Sequence, residues 1–198
     1  MIGEDIINAF ASLGDIGMLL ALVVIIWIDG TAFPTLPEVW MIWIFGVHPG
    51  SFAWGVMLVV VATCAGLLGN FTLYTLVKVA RLPHWIQKRM RQYTDFLIVK
   101  DERLLLLNRL APIIPYTGAF IAVCNWDLKK SAAYIFLSGL IKFSIIVLIS
   151  WLSFDNLREE VAPWVSLGVV AVLLITSVIA SVIYKKKSGL RGGPSRSQ

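Results

Sequence analysis

Four apolar stretches of lipid-crossing length run along this chain, and between them lie two shorter apolar segments that proline interrupts. Residues 6–28 begin amphipathic and become wholly apolar from Ile16 to Ile28. Residues 51–80, 131–153 and 161–184 follow the same pattern. A membrane helix needs about 20 residues, so each stretch predicts one span. Gly55, Gly66 and Gly69 in the second are small residues of the kind that let membrane helices approach closely.

The shorter segments, 33–47 and 110–126, carry Pro34-Thr35-Leu36-Pro37 and Pro112-Ile113-Ile114-Pro115. Proline removes a backbone donor and clashes with the preceding helical turn, so neither segment continues as one helix. Broken backbone at membrane depth is tolerated only where protein buries it or a watery cavity meets it. Residues 31–50 and 104–128 therefore predict two re-entrant hairpins, each followed by a span. Inserted with opposite orientation, they would bring their tips together near the midplane, the inverted-repeat layout of secondary transporters. The expected fold is an all-α membrane protein: an inverted repeat of two Pro-broken re-entrant hairpins, each followed by a transmembrane helix, plus flanking transmembrane helices.

Between the halves the chain turns polar and basic. Ile86, Met90, Tyr93 and Leu97 recur at helical spacing, with Lys88, Arg89 and Arg91 on the other side. An amphipathic cytoplasmic helix over about 83–103 follows. It either lies on the membrane surface or packs on its own protein, and one apolar stripe does not separate the two. Residues 1–184 make a single transmembrane domain, and the Gly/Ser/Arg-rich residues 185–198 a basic, disordered cytoplasmic tail.

Composition sharpens the class. A chain of 198 residues that is 58% hydrophobic and only 15% charged is no ordinary soluble domain. Its net charge of +5 would suit nucleic acid, yet the first 77 residues contain no Lys or Arg and the later ones mostly flank apolar spans. That is a topology signal, so nucleic acid is excluded as a partner. The positive-inside rule puts residues 81–109, Lys129-Lys130 and the tail in the cytoplasm, leaving Arg158 outside. It then has the opening helix start inside and the first hairpin open to the outside. Cys64 and Cys124 read as small packing residues, with neither metal spacing nor a disulfide framework. The eight Trp mostly flank spans, as interfacial belts do. Glu4 and Asp5 do not suit a cleaved signal peptide.

A few polar residues at membrane depth carry the candidate chemistry. A carboxylate there costs about 2.5–3.5 kcal/mol on insertion scales, so Glu38, directly after Pro37, and Asp29 call for a partner, water or a proton. Asp29 also suits a solvated helix end. Arg109 opens the second broken segment, and its planar fork of donors fits a phosphate. Plain positive-inside anchoring is its simpler role. Lys142 has 11 residues of the 131–153 span on either side, too deep to reach water easily. Thr117, just past Pro115, either caps freed backbone or touches substrate. Asn70 suits a helix–helix hydrogen bond. His48 and His84 read as solvated loop histidines. No nucleophile-and-base pair, metal cluster or phosphate-cradling loop is visible, so the sequence predicts neither an enzyme nor a cofactor.

Taken in order, Asp29…Phe33-Pro34-Thr35-Leu36-Pro37-Glu38, Gly66…Gly69…Tyr74 and Arg109-Leu110-Ala111-Pro112-Ile113-Ile114-Pro115-Tyr116 resemble the DedA superfamily, also called the VTT or SNARE-associated domain family. The similarity covers roughly residues 25–150. It implies two re-entrant hairpins in an inverted repeat, with bacterial members associated with flipping polyprenyl-phosphate carriers and with membrane-potential homeostasis, and eukaryotic relatives with phospholipid scrambling. The family's acidic pair falls on Asp29 and Glu38, and its first hairpin-two arginine on Arg109. Two positions depart from the pattern. Asp29 stands where Glu is more usual, and Pro115 where many bacterial members carry a second Arg, which removes one expected phosphate ligand.

The leading expectation is a lipid flippase or scramblase for phospholipid or polyprenyl phosphate, with protons as a candidate coupling ion. The alternative is a proton-coupled exporter of cations or small amphipathic compounds. A membrane protein with a purely structural or assembly role is a third. A prokaryotic cell membrane with a cytoplasmic C-terminus is the expected location, and homo-oligomerisation is left open.

Overall fold

The computed structural model describes residues 2–31, 35–80, 83–95, 101–110, 116–156, 161, 163–169, 171–172 and 175. Among these, every regular element is helical. In chain order they are α1 (Ile2–Phe10), α2 (Gly14–Thr31), α3 (Pro37–Phe45), α4 (Phe52–Ala80), α5 (His84–Asp95), α6 (Leu104–Leu110), α7 (Thr117–Cys124) and α8 (Leu128–Asn156). Helices α2, α4 and α8 are long and apolar enough to cross a membrane, which suggests a membrane protein. Their outward positions, such as Ile16, Val60 and Leu148, are exposed large hydrophobics, as lipid-facing positions would be. Of the expected 161–184 span, residues 163–169 are helical, and most of the rest lies outside the described residues, as does the tail 185–198.

Helix α4 is the axis of the packing. Half of its apolar window is buried, against 28% for α2 and 33% for α8. Between lipid and protein there is little hydrophobic gradient, so close backbone approach carries helix association. Glycines supply it. A Cβ on Gly30 of α2 would lie 3.1 Å from Gly69 Cα, and one on Gly69 would lie 2.8 Å from the Trp27 carbonyl oxygen. Gly30 meets Gly69 while Asp15, at the other end of α2, meets His48 just before α4, so α2 and α4 run in the same direction; Trp27 Nε1 donates to Thr72 Oγ1 at 3.0 Å beside the glycine contact. Helix α8 crosses α4 the other way, with Val147 against Gly55 and Thr63 against Gly139. Helix α3 packs on α8, and α7 on α4. A Cβ on Gly118 of α7 would run into the Asn70 carbonyl oxygen and lie 3.0 Å from Tyr74 N. Leu22, Met41, Leu58, Ala62 and Phe143 join α2, α3, α4 and α8 in one core.

Local chemistry explains where the helices begin. Ser51 Oγ accepts from Trp54 N at 3.2 Å at the start of α4. Asp127 Oδ1 accepts from Lys130 N at 3.0 Å at the start of α8. Both are N-cap bonds that satisfy an otherwise orphaned amide. The Lys130 amide also holds the Asp127 carboxyl below the usual carboxylate range. Pro37 opens α3, where its missing N–H costs nothing.

Contacts at the two ends settle direction. His48 Nε2 lies 3.0 Å from Asp15 Oδ2, which puts the α3–α4 loop beside the start of α2. Phe52 and Trp151 meet at the same end, 5.9 Å between ring centroids. At the opposite end Asp127 N donates to Glu102 Oε1 at 2.7 Å, joining the approaches to α6 and α8.

Several sequence expectations change. The opening helix does not run from Ile6: α1 ends at Phe10, a 3₁₀ turn spans Ala11–Leu13, and Gly14 takes φ +60°, a left-handed conformation suited to glycine. Nor does that helix end where the first hairpin opens. Its beginning lies beside the α3–α4 loop, with α2 ending at Thr31 and α3 starting back at Pro37. The charge rule had no Lys or Arg among the first 77 residues to orient α2 by. For α5, where membrane surface and protein were both open, Met90 packs against Leu104 and Phe120, beside Cys124 and Trp126, while Trp85, Lys88 and Arg89 are exposed. Cys64 is exposed rather than packed. Trp54 belongs to the core instead of an interfacial belt, its Nε1 donating to the Ile44 carbonyl at 3.1 Å. His48 lies in the α3–α4 loop and is exposed, as expected, and also meets Asp15.

Gly118→Ala should destabilise the protein by about 1–3 kcal/mol, the usual cost of overpacking. Gly50→Ala, which meets nothing within 4 Å, should stay within about 0.5 kcal/mol of wild type. Unfolding in mixed micelles titrated with a denaturing detergent measures both, and equal stabilities would contradict the α4–α7 contact.

Candidate functional site

The start of α3 and the middle of α8 build the site between them. Fourteen residues of α8 lie on each side of Lys142, about 21 Å of helix at 1.5 Å per residue. No residue of α8 is farther from both ends. Glu38 occupies the first turn of α3, where a helix N-terminus favours a carboxylate. Lys142 Nζ forms an ion pair with Glu38 Oε1. The side chains are only 17% and 11% exposed, respectively. Lys142 Nζ also lies 5.7 Å from the centroid of the fully buried Phe143 ring.

The chain before α3 is held in place by its own polar groups. Thr35 N donates to Asp29 Oδ1 at 3.1 Å, and Thr35 Oγ1 donates to the Ile25 carbonyl at 3.0 Å. These bonds fold the returning chain back along the last turns of α2. They also give Asp29 a role beyond that of a solvated helix end. Leu36 then adopts φ 51° and ψ 60°, left-handed backbone that costs a non-glycine residue roughly 1–2 kcal/mol. The bend from α2 into α3 is therefore strained at one residue and bonded at the residue before it.

Helix α7 begins the same way. Tyr116, its N-cap, takes φ 54° and ψ 54°. Asn108 Nδ2 donates to Thr117 Oγ1 at 3.1 Å and ties the two arms of this second bend together. The Thr117 hydroxyl thus accepts from a side-chain amide. Arg109 sits in the last turn of α6, immediately before this bend. Its side chain, and Pro34, Pro112 and Pro115, lie outside the described residues. Pro37 is the first residue of α3.

Asn70, expected to bond across helices, donates through Nδ2 to the Gly66 carbonyl of its own helix at 2.7 Å. Among the described residues no three of His, Cys, Asp and Glu gather as a metal would require. The sequence had singled out Glu38 and Lys142 separately. Their pairing was out of its reach, because a contact between residues 38 and 142 has no local signature. Thr35 and Asn108 were passed over. Asn108 did carry a signal, as an amide interrupting the run Leu104-Leu105-Leu106-Leu107.

Energetically, the pair matters most when it is broken. Removing one partner of a buried ion pair costs about 3–5 kcal/mol, whereas replacing both with apolar groups is often close to neutral. Lys142→Met and Glu38→Met should each lower unfolding stability by about that amount, and the double variant should regain most of it. A double-mutant cycle in micelles checks this, and additive losses would mean that the two charges do not act together.

No protein-family model, curated protein or solved structure matches this chain.

Proposed function

We propose that this protein moves anionic lipids between leaflets, as a flippase or scramblase for phospholipid or polyprenyl-phosphate carriers. The observation that carries the reading is the Glu38–Lys142 pair at the centre of α8. Ionisable residues at such depth are costly, and they tend to mark a substrate or ion pathway.

The packing supports an inverted repeat. Each half has a bend, a short returning helix and a 29-residue helix, α4 or α8, and these two run in opposite directions. The short helix of each half rests on the long helix of the other: α3 on α8 and α7 on α4. Both short helices begin at a left-handed residue. On this reading α2–α3 and α6–α7 are re-entrant hairpins dipping from opposite faces, and their tips line the path. The motif order that resembles the DedA superfamily fits the same layout.

Charge sets the orientation. Lys78, Lys88, Arg89, Arg103, Lys129 and Lys130 are exposed around the end where α4 finishes and α8 starts. That end is cytoplasmic by the positive-inside rule, in a membrane that is most simply a prokaryotic cell membrane. The acidic residues Glu4, Asp5 and Asp15 then fall at the outer end with the start of α2.

In this mechanism Arg109, at the mouth of the second hairpin, receives a headgroup phosphate from the cytoplasmic leaflet. The phosphate passes Thr117 and Lys142 while the tails stay in lipid, and Asp29 and Glu38 line the path or take up protons. Neutralising the phosphate at each step avoids carrying a bare charge through low dielectric. A cation exporter is less well served, because its cargo would meet the Lys142 ammonium halfway. No bond is made or broken, so the protein is not an enzyme.

Reconstituted protein should speed the loss of dithionite-protected fluorescent phospholipid, or the exposure of polyprenyl phosphate, over empty liposomes. Arg109→Ala should slow that movement tenfold or more, about the worth of one charge-assisted contact, while leaving folding intact. Wild-type rates in the variant would reduce the arginine to an anchor. No movement by folded wild-type protein would defeat the lipid reading.

A further inference from the structure

The partner that Lys142 holds in this structure has the chemistry of its proposed cargo. Glu38 presents a carboxylate oxygen to the ammonium at the midpoint of α8, where a headgroup phosphate would have to pass. We propose that Glu38 is a built-in place-holder: its carboxylate occupies the anion seat on Lys142, and a phosphate group takes that seat by displacing it. The inference rests on the anionic-lipid reading above and assigns the central binding site within it.

Three observations carry the argument. First, Lys142 is held on a long, regular helix that crosses α4 at Gly139, so the ammonium has a fixed position in the path. Its three donors suit a phosphate oxygen as well as a carboxylate.

Second, Glu38 is carried at the end of a short helix that starts from strained backbone. It lies one residue into α3, just after the strained Leu36. The far end of α3 is anchored by Phe45, which is 1% exposed and meets Phe154 at 5.9 Å between ring centroids. A swing of the α3 start about that anchor would carry Glu38 off Lys142 at the cost of the two Thr35 bonds and of the Met41 and Ile42 packing, leaving the α4–α8 contact in place. The other half offers no such freedom. The second residue of α7 is Gly118, seated directly on the α4 backbone.

Third, the pair is not sealed. The Lys142 side chain keeps 17% exposure and the Glu38 side chain 11%.

A place-holder and a structural strut respond oppositely to loss of the carboxylate. Take the full-length protein in an uncharged detergent and titrate it by calorimetry with dihexanoyl phosphatidic acid, and separately with inorganic phosphate. Glu38→Gln removes the competitor but keeps a polar group beside Lys142. It should bind phosphatidate roughly tenfold more tightly than wild type, and Lys142→Gln roughly tenfold more weakly. Binding of phosphatidate alone assigns the seat to a lipid headgroup, and binding of both ligands to phosphate from either source. Unchanged or weaker binding by Glu38→Gln overturns the proposal, as does full binding by Lys142→Gln.

Wild-type protein supplies a readout that survives misfolding of either variant. Saturating phosphatidate should raise amide hydrogen exchange at the start of α3, because the ligand releases it, whereas a ligand that merely adds contacts would slow exchange there. Slower exchange overturns the proposal. Failure of lipid movement with this binding pattern intact would instead defeat the transport reading and leave the phosphate seat standing.

Discussion

A lysine and a glutamate that meet halfway along a lipid-length helix constrain everything around them. Neither charge is affordable alone at that depth, so the fold must deliver a carboxylate to Lys142 from an element that stops there. Helix α3 does this. It begins near mid-depth because the chain is broken before it, and its first turn offers the carboxylate a favourable helix N-terminus. The break itself leaves backbone groups in need of partners. Thr35 answers with its amide to Asp29 and its hydroxyl to the Ile25 carbonyl. The proline motif, the acidic residues and the central lysine thus serve one requirement: polar groups in an apolar medium must satisfy one another.

The two halves meet that requirement differently. Where α7 rests on α4, the contact is backbone on backbone through Gly118, and no side chain fits between. Where α3 rests on α8, charge bridges the contact at one end of α3 and aromatic rings close it at the other. The first is close-packed along its crossing. The second has a point of opening. On the proposed reading, the α6–α7 side fixes the frame and the α2–α3 side answers the ligand.

Much of this frame was legible in the sequence. Three long apolar runs became α2, α4 and α8, and Pro37 of the first proline motif opens α3. Glu38 and Lys142 stood out because an ionisable residue in apolar surroundings is conspicuous wherever it lies. Direction and partnership were harder to read. The orientation of α2 depends on His48 meeting Asp15, a contact between residues 33 apart, and no basic residue marked either end of that helix. Periodicity shows that a helix such as α5 has an apolar face and not what covers it. Asn70 looked like glue between helices and bonds within its own, because a short amide reaches its own preceding turn as easily as a neighbour. In each case the pattern belongs to one segment and the answer to two.

The central claim is that Lys142 and Glu38 form a charged pair in the membrane interior. Solid-state magnetic resonance in bilayers can test it directly, with nitrogen-15 in lysine side chains and carbon-13 in glutamate carboxyls. The account predicts a charged ammonium at Lys142 whose nitrogen is dephased by one carboxyl carbon within about 4 Å, the reach of an ion pair, and an effect lost in Glu38→Gln. A Lys142 nitrogen with no carboxyl near it, or one in the neutral amine form, would contradict it.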